Sequence, residues 1–272
     1  MNEYYFNPIL SLIPVLIAVF AAVLLLVRYY NFKQRHHLFL FIVFLLLAYT
    51  YAFSLAYSTK NYSIIALLFP FRQPVNLLLI PFSSFYGYIL FLGVRIPLRK
   101  MIIHVLPALF VFIGFIPFWF LQPELQTSYL SLGLSSDMEN TILHNTELLR
   151  KVSVYFIFNF QFVVYNAYII YKFRKFDKQS PVTLHSHPGA GSVSVILLFV
   201  SFLFVMINNA LVLGIAFNIN SRIFFNSASI VILLAFFISG YKSRQCIAKW
   251  EIQDIENDEP IDDDSIDDGS SD

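Results

Sequence analysis

Residues Asn76–Pro107 read NLLLIPFSSFYGYILFLGVRIPLRKMIIHVLP, and this stretch decides the fold. The apolar run Leu77–Val94 is long enough to cross a bilayer at about 1.5 Å of rise per helical residue. It stops at Arg95-Ile96-Pro97-Leu98-Arg99-Lys100, and a second apolar run starts at Met101. Two spans joined by so short a basic loop make a membrane hairpin whose loop faces the cytosol.

The rest of the composition agrees. Of 272 residues, 58% are hydrophobic and only 13% are charged, where a soluble domain carries about a quarter. Mean hydropathy is +0.68. The 31 Phe and 16 Tyr suit lipid-facing surface and interfacial belts. A single cysteine, Cys246, excludes a disulfide framework and any multi-cysteine metal site. The net charge of +1 hides an asymmetry: all 18 Lys and Arg precede residue 251, whereas residues 251–272 hold acids and no base.

Working outward, MNEYYFNP at the N-terminus carries Glu3 where a signal peptide would carry a basic region. The run Ile9–Val27 therefore reads as a retained first helix with its N-terminus outside. Spans are expected at about 9–27, 38–56, 76–94, 101–121, 152–171, 193–215 and 223–241. Ile64–Phe71, closed by Arg72-Gln73-Pro74, is too short to span and reads as an interfacial segment or an early turn of the third helix. Gln122–Leu149 forms the longest loop, with an amphipathic helical stretch at Thr141–Lys151. With the N-terminus outside, bases concentrate in the cytosolic segments, among them Arg28, Arg95, Arg99, Lys100, Lys172, Lys242 and Arg244. Lys60, Arg72, Arg150, Lys151 and Arg222 fall outside. The positive-inside rule supports this orientation at each loop pair.

The expected fold is an all-α integral membrane protein: a bundle of seven transmembrane helices, N-terminus outside and C-terminus cytosolic. Residues 1–250 form the transmembrane domain and residues 251–272 a disordered acidic cytosolic tail. The expected location is the plasma membrane, a bacterial inner membrane, with the lipid bilayer as the first partner.

On this reading no Asp, Glu, Lys or Arg lies in the middle of a span, which disfavours pumps and proton-coupled carriers. The last span has no lysine for a retinal Schiff base. Neither G-x-S-x-G nor H-E-x-x-H occurs. His185-Ser186-His187 has no third metal ligand beside it, and Asp263-Asp264-Ser265-Ile266-Asp267 sits alone in the acidic run. No catalytic residue, metal or cofactor is expected.

A polar seam remains. Asn76 and Ser83 share a face of the third span, Asn159 and Asn166 one of the fifth with Gln161 nearby, Ser201 and Asn208 one of the sixth, and Asn226 and Ser229 one of the seventh. Such side chains serve either as interhelical glue or as a polar pocket for an uncharged or lipid-like ligand.

Pro81-Phe-Ser-Ser-Phe-Tyr86-Gly-Tyr88, the basic hinge, and His104-Val-Leu-Pro107 carry a family likeness. So do the aromatic-then-basic run Tyr165–Arg174 and Gly240-Tyr241-Lys-Ser-Arg-Gln245. Together they resemble the N-terminal membrane region of seven- or eight-span regulators common in Bacteroidetes, which carry an arabinose-regulator (AraC) type DNA-binding domain, and of related sensor kinases. The resemblance covers roughly residues 5–250. It implies a sensory or signal-transducing domain, with Arg95, Arg99 and Lys100 fixing topology and Tyr241, Arg244 and Gln245 relaying to a cytosolic output.

After Gln245 the regulators continue into helix-turn-helix units or a kinase core, and this chain into an acidic tail. Direct nucleic-acid binding is therefore not expected. A membrane or cytosolic protein partner, or a homo-oligomer, is. The expected function is a non-catalytic membrane sensor relaying an extracytoplasmic or intramembrane signal, in transcriptional regulation. The alternatives are a small-solute or lipid permease and a structural partner in a membrane complex.

Overall fold

The computed structural model describes residues 8–33, 35–92, 98–132, 140–179 and 219–242. Among them there is no strand. The helices are α1 (Pro8–Phe32), α2 (Arg35–Ser58), α3 (Tyr62–Leu92), α4 (Leu98–Phe115), α5 (Pro123–Leu132), α6 (Thr141–Val152), α7 (Asn159–Gln179) and α8 (Ile219–Lys242). A 3-10 turn, Ile116–Phe120, extends α4, and a π-helical segment, Ser153–Phe158, joins α6 to α7.

Five of the described stretches are long and apolar enough to cross a membrane: Ser11–Phe32, Arg35–Ser58, Tyr62–Gly87, Arg99–Phe120 and Thr141–Tyr171. Their outer faces carry exposed Phe20, Phe110, Phe156 and Phe160, side chains that water would not tolerate in such density and lipid would. The opposite face of α1 is small: Ala18, Ala21, Ala22 and Leu25 are buried against α2. Small residues at helical spacing let two backbones approach closely, the usual means of packing helices in lipid. The expected spans at 193–215 and the tail 251–272 lie outside the described residues.

The chain turns tightly at the bundle ends. Lys33 (φ 53°) and Lys60 (φ 54°) adopt the left-handed conformation that ends a helix. At the second of these turns Asn61 Oδ1 accepts from Ile64 N at 3.3 Å and caps α3. The turns alternate, so the bundle has a Lys33 end and a Lys60 end. At the Lys33 end the Arg28 guanidinium lies 3.8 Å over the Tyr241 ring, which sets the C-terminus of α8 beside α1.

Two apolar cores follow. One, at α1, α2, α3 and α8, stacks Phe44 on Phe236 with centroids 5.5 Å apart and sets Tyr86 edge-on to Phe236. Gly240 belongs here for want of space: a Cβ on it would overlap Leu40 Cδ2 and meet the Tyr86 hydroxyl at 2.9 Å. The other core, toward the Lys60 end, gathers Phe69, Phe115, Phe118, Tyr129, Leu143 and Phe158 from α3 through α7.

Three sequence expectations change. First, of the two readings of Ile64–Phe71, the opening turns of the third helix hold and the interfacial segment does not, because α3 runs unbroken from Tyr62 to Leu92 through Pro70, Pro74 and Pro81. Near Pro70 the helix is braced from across the bundle: the Tyr49 hydroxyl donates to Leu68 O, and Trp119 Nε1 donates to Leu67 O at 3.2 Å. Arg72 is thereby carried inside the candidate span Tyr62–Gly87, against the expectation of spans free of charge at their centres. Second, the loop Gln122–Leu149 contains a further helix, α5. Gln126 Nε2 donates back to Phe118 O at 2.9 Å and Leu121 O at 3.1 Å, so the carbonyls ending the 3-10 turn are satisfied by the chain folding over them. Third, the second helix begins at Arg35 rather than near residue 38, which buries His36 and His37 in its first turn.

Candidate functional site

At the Lys60 end α5 and α6 cap the bundle, and polar side chains meet beneath them. Asn140 starts α6, its Oδ1 accepting from Ile142 N at 2.9 Å and Leu143 N at 3.3 Å. That phase turns Leu143, Thr146 and Glu147 inward. Glu147, 7% exposed, accepts from Tyr129 Oη at 2.8 Å and from Arg150 Nε at 2.8 Å and Nη2 at 2.6 Å, with Lys151 Nζ at 3.6 Å. The two-pronged arginine contact is the strong form of the ion pair. Burial, then the neighbouring carboxylate, pushes the Tyr129 hydroxyl above the ordinary tyrosine range, so it stays a donor.

Arg72 sits close by. It lies against the Phe53 ring, 4.8 Å from guanidinium carbon to centroid. Tyr49, Tyr57, Tyr129 and Arg150 are its electrostatic neighbours. Glu147 is committed to Arg150 and Lys151. Among the described residues no carboxylate pairs with Arg72.

The cap connects directly to the spans. Ser153 Oγ donates to Arg150 O at 2.9 Å where α6 passes into the π-helical segment, and Ser153 and Val154 are fully buried there. The helical path then runs on through α7 without a break. Single π turns of this kind concentrate at functional sites because the extra residue rotates everything beyond it. Farther along, the Tyr165 hydroxyl and His104 Nδ1 form a hydrogen bond between α7 and α4, and Phe85 stands edge-on to the imidazole at 5.1 Å.

Of the expected polar seam, the described residues include Asn76, Ser83, Asn159, Gln161, Asn166 and Ser229. Asn76 is buried in α3 and Ser83 half-buried. Asn159 donates to Tyr155 O at 3.0 Å and Asn166 to Phe162 O at 2.7 Å, each within its own helix. Gln161 is 6% exposed, and its Oε1 has no partner. Ser229 is buried beside the Tyr51 hydroxyl of α2. Ser201 and Asn208 lie outside the described residues, as does the side chain of Asn226. Of the topology and relay residues, Arg99 and Lys100 open α4 exposed and Tyr241 closes α8, while Arg95, Arg244 and Gln245 lie outside.

Sequence reasoning passed over Arg72, Tyr129 and Glu147. A signal was present: Glu147 with Arg150 and Lys151 at three and four residues' spacing marks a paired helix face. No group of three or more possible metal-ligating side chains occurs among the described residues. No protein-family model, curated protein or solved structure matches the chain.

Proposed function

We propose that the chain is a seven-span, non-catalytic signal-transducing domain of a bacterial inner membrane, N-terminus outside and C-terminus cytosolic. It relays a signal from the capped end to a cytosolic output or partner, in transcriptional regulation. The observation that carries this reading is one continuous path: α6, the π-helical segment and α7, of 12, 6 and 21 residues. That is roughly 55 Å of helix, enough to reach from the cap through a bilayer.

A rod with a buried polar cluster at one end couples events there to its far end. A change at Glu147 re-aims Arg150, Arg150 O is held by Ser153, and Ser153 begins the π segment. Re-registering that segment rotates α7, whose tie to α4 is His104–Tyr165. A signal acts by favouring one of two such arrangements. The basic residues Lys172, Arg174, Lys175 and Lys178 at the end of α7 suit the cytosolic side.

Spin labels at Tyr171 of α7 and Ile238 of α8, both exposed, test this in a Cys246→Ser background. Glu147→Gln is expected to change the distance distribution between them. An unchanged distribution in a folded variant contradicts the relay.

One observation favours a second reading, a small-solute permease: Arg72 stands inside a candidate span, where ionisable groups often mark solute paths. Uptake of labelled phosphate into proteoliposomes, lost in Arg72→Gln, would favour it.

A further inference from the structure

We infer that Arg72 anchors a binding site for an oxyanion, a phosphate or carboxylate group presented at the capped end of the bundle. A guanidinium offers five N–H donors in a planar fork, and it stays charged in any protein setting. Among the described residues Arg72 makes no ion pair and no hydrogen bond through its side chain; it lies against the Phe53 ring at 4.8 Å, with Tyr49, Tyr57 and Tyr129 as neutral electrostatic neighbours. A ring face attracts the charge, yet it satisfies none of those donors.

The surroundings sharpen the requirement. Arg150 is a like charge, already turned to Glu147 through Nε and Nη2. Lys151 shares the same carboxylate. Among the described residues Arg72, Arg150 and the exposed Lys151 stand beside one carboxylate, Glu147, and that carboxylate serves the latter two. Part-buried cations in a low-dielectric setting are retained where something pairs with them. Among the described residues no anion is left to pair with Arg72.

The fork shape selects its chemistry: planar two-oxygen groups engage arginine in bidentate fashion, and halides do not. Depth allows two sources. The turn preceding Arg72 is held by the Trp119 indole, a side chain favoured at the headgroup level. A lipid headgroup could reach the site from the bilayer, and a free ion from the aqueous side. This site does not require the relay: occupancy is measurable with no movement of α7.

The test uses the full chain in a maltoside detergent, which carries no phosphate. Inorganic phosphate is titrated while thermal unfolding is followed. In parallel, the chain is placed in nanodiscs of phosphatidylcholine alone or with phosphatidylglycerol. An Arg72-dependent rise with inorganic phosphate identifies a free oxyanion; one seen only with phosphatidylglycerol identifies a lipid headgroup. In either case Arg72→Gln is expected to weaken the apparent affinity at least tenfold. Arg72→Lys, which keeps the charge and loses the fork, is expected to weaken it severalfold and serves if the glutamine variant does not fold. A purely structural Arg72 would lower the unligated melting point and leave the ligand-dependent increment unchanged. That result, or no increment in wild type with either probe, overturns the proposal.

Discussion

The Tyr129 hydroxyl donates to Glu147 Oε2 at 2.8 Å, tying α5 to α6 across 18 residues of sequence. Arg150 grips the same carboxylate from the next turn. The cap is thus held by a single buried anion. Glu147→Gln keeps the shape and removes the charge, leaving Arg150 without its partner. We expect a loss of about 2–4 kcal/mol, read as a lower unfolding midpoint in detergent. Tyr129→Phe removes one hydrogen bond and is expected to cost about 1–2 kcal/mol.

The same pair predicts an alkaline limit. Burial and Glu147 hold the folded-state Tyr129 hydroxyl above its unfolded value. The sign follows: its stabilisation is complete below pH about 10, the unfolded tyrosine value, and is lost as pH rises through the folded one. The stability gap between wild type and Tyr129→Phe should be flat below that pH and narrow above it. A gap independent of pH to well above 10 contradicts this.

Much of the membrane architecture was legible because lipid writes it plainly. Apolar length located the helices α1, α2, α4 and α8, and the helical character of Thr141–Lys151 was visible before its packing was. What stayed hidden depends on tertiary partners. The three prolines of α3 argue locally for a break, yet the helix continues through them, braced near Pro70 by the Tyr49 and Trp119 donors from across the bundle. His36 and His37 fall ahead of the expected span 38–56 until α2 is seen to begin at Arg35. The site was less legible than the fold: the seam followed amide periodicity, whereas the described cluster pairs one acid with bases and tyrosines brought together from separate helices.

The His104–Tyr165 hydrogen bond is the one polar tie described between α4 and α7. A double-mutant cycle with His104→Phe and Tyr165→Phe should give a coupling of about 0.6–1.7 kcal/mol, the range for interhelical bonds in membranes. Zero coupling would show that the two side chains pack without bonding.

Gln161 makes the opposite prediction. Its buried Oε1 has no partner among the described residues, and an unpaired buried acceptor contributes nothing that a leucine of similar volume does not. Gln161→Leu should leave thermal stability unchanged or raise it by up to about 1 kcal/mol. A fall of several degrees would place Gln161 among the residues that hold the bundle together.

The relay from cap to cytosolic end is tested most directly by pulsed electron–electron distances between labels at Tyr171 and Ile238 in the Cys246→Ser protein. Helix shifts in switching proteins are of the order of 1–5 Å. Glu147→Gln should move the Tyr171–Ile238 distribution within that range while the helical signal stays intact. An identical distribution, with the cap demonstrably loosened by faster amide exchange at α5 and α6, would contradict the relay.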